Sequence, residues 1–190
     1  MFLALTLSGI GNSLAAITLR IFLAVNVGTA LVGLYSRSEL GPVGREISQV
    51  IQFVEANVPQ NGSFFAVSTH PFPGFPTALY AGRHWQSVSN SNIFLPSVVR
   101  LTAQGNEPDD KDLAYSRAKS VEAVLRDLNR KPDLVLIDIR PHRHAINNDP
   151  FDFMAFYLSD PEIRSIWENY RKTDQAPDGF AAYERIKRTQ

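Results

Sequence analysis

The chain has 190 residues, 44% of them hydrophobic, with nineteen basic and nineteen acidic side chains and a pI near 6.9. Zero net charge argues against nucleic acid as an obligatory partner, since neutralising phosphates needs a basic face. The lack of cysteine excludes disulfides, thiolate metal sites and cysteine nucleophiles, and is compatible with a periplasmic location.

Charge is unevenly spread along the chain. Met1 to Tyr35 contains one charged side chain, Arg20, and residues 36–190 read as a soluble domain. A continuous helix over that stretch would run roughly 50 Å, whereas a hydrocarbon core needs about 20 residues. Ser8-Gly9-Ile10-Gly11-Asn12-Ser13 is a run of small, helix-weakening residues that breaks it. The best single span is Leu14 to Tyr35, with eleven Leu, Ile, Val or Phe residues. Each favours insertion by roughly 0.3–0.6 kcal/mol against about 3 for a central arginine, and Arg20 lies near enough to one end to snorkel. Three readings are open: a retained membrane helix, a cleaved signal or a buried soluble helix. The first is favoured, because no basic n-region precedes the stretch and no Ala-x-Ala site follows Leu34. Met1 to Leu7 reads as the tail of a preceding segment, so the expectation is the last crossing of a longer membrane protein.

Ser36 to Gly41 is a polar exit. Pro42 opens a helix with Val43, Ile47, Val50, Ile51, Val54 and Val58 at helical spacing, stopped by Asn57 and Pro59. Gln60-Asn61-Gly62 turns into a strand over 63–68. Pro71, Pro73 and Pro76 remove donors and fix φ, so 70–76 is a loop. A short helix over 77–82, a strand over 85–88 and a short helix over 93–101 follow. A charged loop over 106–112 caps a long helix whose stripe is Leu113, Ala114, Ala118, Val121, Leu125 and Leu128.

Leu134-Val135-Leu136-Ile137-Asp138 is the clearest strand, continuous and apolar up to Asp138 as for a strand covered on both faces. Phe151 to Leu158 reads as helix. Asp160-Pro161 starts another, with Asp as N-cap and Pro at the first helical position. Phe180 to Ile186 is a terminal strand, paired with residues near 170–173 across Pro177-Asp178-Gly179. The fold class is therefore α/β: an N-terminal transmembrane helix (1–35, best span 14–35), then a layered domain (36–190). Its sheet is mostly parallel and made mixed by the terminal hairpin.

Two constellations could carry chemistry. Asp138, His142, His144 and Asp149 follow the best strand, where ligands of open α/β sheets bind, and supply carboxylate and imidazole ligands for a divalent metal. Arg140 and Arg143 among them would repel a cation, so the favoured reading is a polar loop with a strand-end carboxylate bonding backbone amides, with a metal site and an anionic-ligand site as the alternatives. The second is His70 in the proline loop, with Phe72, Phe75 and Trp85 as stacking surfaces for a sugar or lipid phosphate and Arg83 and His84 as phosphate contacts. The plainer alternative is that Phe72 and Phe75 fill core or rest on the membrane interface. No glycine-rich phosphate loop and no Gly-x-Ser-x-Gly elbow occurs.

An apolar span ending at a tyrosine is followed by Ser68-Thr69, Pro73-Gly74-Phe75-Pro76, Tyr80-Ala81-Gly82-Arg83-x-Trp85 and Pro132-Asp133-Leu134-Val135-Leu136-Ile137-Asp138. Phe151-Asp152-Phe153, Tyr170-Arg171 and Tyr183-Glu184-Arg185 complete the order. This resembles the C-terminal extramembrane tail of bacterial GT-C integral-membrane glycosyltransferases of the protein-mannosyltransferase-like type. The resemblance implies a location at the inner membrane with the domain on the periplasmic side. It also implies a polyprenyl-phosphate sugar, membrane lipid and other transmembrane helices as partners, and no cofactor. The family's essential acidic residue lies in an early extramembrane loop with no counterpart here, so the resemblance assigns no catalytic residue. The expectation is a tail domain for substrate positioning or assembly. An independent anchored glycan- or lipid-phosphate-binding module is the alternative, and an anchored metal hydrolase a third.

Overall fold

The computed structural model describes residues 14–38, 41–146 and 150–186. The break at Ser8–Ser13, residues 147–149 (Asp149 among them) and the side chain of Val43 lie outside it. The chain divides into two compact units, Met1–Arg45 and Glu46–Gln190.

In the first unit, α1 (Leu14–Arg37) continues two residues past the expected span. Within it, Ala16–Arg37 has a mean hydropathy of 1.8 and is, among the described residues, the one helix long and apolar enough to cross a membrane. Its large side chains, Ile21, Phe22, Val32 and Leu34 among them, stand exposed. By length and composition, this exposed apolar surface is of the kind that a membrane-crossing helix presents.

The second unit is a five-stranded mixed sheet in the order β2-β1-β3-β5-β4. The strands are β1 (Ser63–Val67), β2 (His84–Trp85), β3 (Leu134–Asp138), β4 (Tyr170–Lys172) and β5 (Phe180–Arg185). β2, β1 and β3 are parallel, while β5 runs antiparallel to both β3 and β4. The terminal hairpin thus makes the sheet mixed.

Alternation along the strands feeds two cores. Phe64, Ala66, Leu134 and Leu136 face α2 (Pro42–Asn57) and α3 (Phe75–Ala81), where Val50, Val54 and Phe72 are buried. Phe65, Val67, Val135 and Ile137 face the other way. There they meet α4 (Leu95–Ala103), α5 (Lys111–Asn129), α6 (Phe153–Leu158) and α7 (Pro161–Trp167). This two-sided burial is why β3 carries no alternation and is buried at all five positions. The start of β3 is pinned by Asp133, which accepts from the Ser63 amide at 3.0 Å and from Arg185 Nη2 at 2.7 Å.

Three local expectations change. α3 begins at Phe75, two residues early, because Pro76 fits the first turn and Gly74 supplies the preceding carbonyl. β2 is only His84–Trp85, since the chain then leaves the sheet through a serine-rich loop whose Ser87 hydroxyl bonds Asp127 at 2.5 Å. The buried stripe of α5 is Leu113, Ser116, Ser120, Val124, Asp127 and Leu128, while Ala114 and Ala118 face solvent.

A polar seam explains the serines. Ser120 Oγ lies 2.7 Å from the Tyr157 hydroxyl, which also accepts from Asn92 Nδ2 at 2.7 Å. Burial pushes the Tyr157 phenol well above its usual range, so it stays protonated. Tyr157→Phe removes the hydroxyl shared by buried Ser120 and half-buried Asn92, which keep their own contact at 3.2 Å, and is expected to destabilise the protein by about 0.5–1.5 kcal/mol in chemical denaturation. A cost below the error of that measurement would mean the seam is satisfied by water.

Candidate functional site

The sheet order places a topological switch point between β1 and β3. The chain leaves β1 through α3 to reach β2 on one side, and β3 lies on the other. Open α/β sheets form their ligand crevice at the carboxyl ends of such strands. Ser68, Thr69 and His70 leave β1 there, and Asp138 closes β3.

Asp138 is 1% exposed and fully engaged. Its Oδ1 accepts from Arg140 Nε at 2.9 Å and from the Arg140 amide at 3.2 Å. Its Oδ2 accepts from Arg140 Nη2 at 2.7 Å and lies 3.0 Å from the Ser68 hydroxyl. These donors use the acceptor capacity of one carboxylate. Arg140 Nη1 reaches Glu46 Oε1 at 2.9 Å, and the guanidinium rests over Phe180 and Phe72 with centroids at 5.1 and 5.7 Å. Hydrogen bonding to Asp138 holds the Arg140 pKa above its usual value. Gly179, at φ +79°, lets this side chain pass: a Cβ there would lie 2.5 Å from Arg140 Cγ. The assembly ties β1, β3, β5 and α2 together at one edge. Asp138 is thus a structural anchor here and has no lone pair left for a metal or a substrate proton.

Beside it sit two imidazoles. His70 and His144 pack edge to face at 5.2 Å, and Thr69 Oγ1 donates to the His144 carbonyl at 2.5 Å. His70 Nδ1 accepts from the Phe72 amide at 3.0 Å, so the neutral ring carries its proton on Nε2. Burial, then the nearby His144 and Arg140, lower the His70 pKa below 6.5. The unfolded chain therefore takes up this proton first as pH falls. The stability contributed by neutral His70 is complete above pH 6.5 and lost as pH falls through the folded value. An NMR titration is expected to give a His70 midpoint below 6.5, and His70→Gln should flatten the acid limb of the stability curve. A midpoint above 6.5 would reverse that sign.

A cleft of about 430 Å³ opens on the other side of β3, between residues 137–143 and 150–154. That volume lies in the range of small-molecule sites. Phe151, Phe153 and Met154 form its apolar wall, and the Arg143 guanidinium lies over Phe153 at 4.2 Å. Arg143 Nε is buried without a hydrogen-bond acceptor among the described residues, and burial lowers its pKa.

The other sequence candidates separate. Arg83 is committed to backbone carbonyls, donating from Nε to Val58 at 2.8 Å, from Nη1 to Ala81 at 2.8 Å and from Nη2 to Glu55 at 3.2 Å. It clamps the ends of α2 and α3 at the opposite edge of the sheet. His84 pairs with Ser63 at that same edge, away from His70. Trp85 is core: its ring meets Phe64 at 5.3 Å, covers Gly74 and donates to the Ser89 carbonyl at 2.9 Å. Phe75 is exposed at the head of α3. His142 is exposed in the turn after β3, and among the described residues no three His, Cys, Asp or Glu converge as metal ligands.

Sequence reasoning passed over Glu46, took Arg140 only as a charge that repels a cation, and gave Ser68 no role at the strand end. The readable signal was Asp-x-Arg at a strand end, which places a guanidinium back onto its own carboxylate. No protein-family model, curated protein or solved structure matches the chain.

Proposed function

We propose that this chain is a membrane-anchored α/β domain on the periplasmic side of a bacterial inner membrane. It serves there as the tail of a polyprenyl-phosphate-sugar-dependent, GT-C-like glycosyltransferase, in positioning or assembly and without turnover of its own. The observation that carries the reading is an uncovered apolar helix joined to a domain whose switch-point carboxylate is consumed by structure. A catalytic carboxylate must be free to bind a metal or move a proton, and Asp138 does neither. Alkaline phosphatase fused to the C-terminus should be active, and the same fusion to a fluorescent protein that folds only in the cytoplasm should be dark. The purified full chain should release no sugar from a polyprenyl-phosphate donor. A bright fusion or measurable turnover would sink the proposal.

The cleft beside β3 favours a second role, an anchored module for a glycan or lipid phosphate. Arg143 Nε is a buried donor lacking an acceptor among the described residues, in a cleft with an aromatic wall, which suits a phosphate or sugar oxygen. Polyprenyl phosphate should then bind the detergent-solubilised chain and lose affinity in Arg143→Met. Equal affinity in both proteins would reject this role.

A further inference from the structure

We infer that the cleft beside β3 takes a small amphipathic monocarboxylate, with its carboxylate on Arg143 and its apolar body against Phe151, Phe153 and Met154. The inference rests on the reading of that cleft as a binding site and names the kind of oxyanion it holds. The space, about 430 Å³, encloses a compact ligand but only the head of a lipid. Arg143 is the cationic side chain there with donors to give. Arg140 lines the same cleft, yet its Nε and Nη2 go to Asp138 and its Nη1 to Glu46. Arg143 joins no ion pair among the described residues, and its Nε lacks an acceptor there. Phe153 covers one face of the guanidinium at 4.2 Å, so an acceptor meets the planar edge. The turn that presents Arg143 is closed by Ala145 in the left-handed region, at φ +58°, with the Ile146 amide on the Arg143 carbonyl at 3.2 Å. An alanine is held in that conformation where packing imposes it, and such strain gathers at ligand sites.

The lining selects the head group. Asp138 already accepts from Arg140 and Ser68, and Asp152 Oδ1 caps α6 through the Ala155 amide at 3.0 Å. A sugar would bring several hydroxyls to a cleft with few polar groups left to bond them, and each one left unpaired costs its hydration. A phosphate monoester carries about 1.5–2 negative charges at neutral pH. The charges that act on Arg143 are the carboxylates of Asp138 and Asp152, and one guanidinium in that company balances one negative charge. A phosphodiester meets the charge but carries a second substituent, which the compact space does not hold. A carboxylate brings one charge on two coplanar oxygens, which suits the Nε–Nη edge of a guanidinium. Hydrocarbon buried against Phe151, Phe153 and Met154 supplies the rest of the affinity.

The chain has two methionines, Met1 and Met154, so methyl-labelled methionine gives two NMR signals, one of them from the cleft wall. The full chain in phospholipid nanodiscs would be titrated with hydrocinnamate, hydrocinnamyl alcohol, hydrocinnamyl phosphate, its methyl diester and a neutral disaccharide. The carboxylate should shift the Met154 signal saturably and leave Met1 in place. The alcohol and both phosphates should bind at least about tenfold more weakly, and Arg143→Gln should weaken the carboxylate by a similar factor. The disaccharide should shift nothing. Equal binding of the alcohol, or full affinity in Arg143→Gln, reduces the site to apolar contact and overturns the inference. Binding of either phosphate as tight as that of the carboxylate, or a shift with the disaccharide, overturns it too while the cleft remains a binding site. No shift with any compound overturns both. If Arg143→Gln displaces the unliganded Met154 signal, the head-group series on the unaltered chain decides alone.

Discussion

Arg140→Met is expected to lower the folding free energy by about 3–5 kcal/mol, measured by chemical denaturation of the detergent-solubilised chain. Methionine keeps much of the apolar volume over Phe72 and Phe180, so the loss comes from charge. It removes the Nε and Nη2 donors to Asp138, whose side chain is fully buried, and leaves that carboxylate with only the Arg140 amide and Ser68. It also frees Glu46, which is 35% exposed and can hydrate, so the cost concentrates on Asp138. The companion change Asp138→Asn in the Arg140→Met background removes the stranded charge and should recover most of the loss. A cost under about 1 kcal/mol for the single change would place the pair with ordinary surface ion pairs. The clamp at the head of the sheet would then be discarded.

Leu23→Arg together with Val27→Arg is expected to abolish membrane integration. The two positions are one turn apart near the middle of Ala16–Arg37, and both side chains are exposed. Each central arginine opposes insertion by about 2.5–3.5 kcal/mol, so the pair contributes roughly 5–7 kcal/mol against a modest favourable sum. Their stems are far from either end, which limits snorkelling. The unaltered chain should remain in the membrane pellet after alkaline carbonate, and the double variant should be extracted or degraded. If the double variant stays in the pellet, α1 is not the anchor.

The two results differ in how far they could be foreseen. The long apolar helix was readable because its signal is composition over a window, and Leu14 to Tyr35 is apolar with one arginine. β3 was readable for a similar reason, since four apolar residues in a row, Leu134 to Ile137, suit a strand covered on both faces. Asp160-Pro161 announced α7 through local cap chemistry that needs no tertiary partner. The switch-point cluster was not readable in the same way. Ser68 and Asp138 are seventy positions apart, and Glu46 and Arg140 ninety-four, so their meeting depends on strand order. Arg83 misled because a guanidinium beside a histidine looks like a phosphate site, while helix C-termini offer it carbonyls instead. Ala114 and Ala118 misled because small apolar residues are at home on either helix face; the true stripe includes Ser116 and Ser120, and the Tyr157 hydroxyl that Ser120 meets is invisible in the local pattern.

The strand order has a consequence for when the domain can form. β3 draws one neighbour from residues 63–67 and the other from residues 180–185. During synthesis β1 emerges with no lasting partner, and β3 arrives with one flank open until the last hairpin is complete. An open flank on a strand with four apolar residues is a template for another chain's strand. Truncation before Phe180 should accordingly yield aggregates rather than a smaller folded domain, and late chain completion is the step that a chaperone acting on this protein would need to guard.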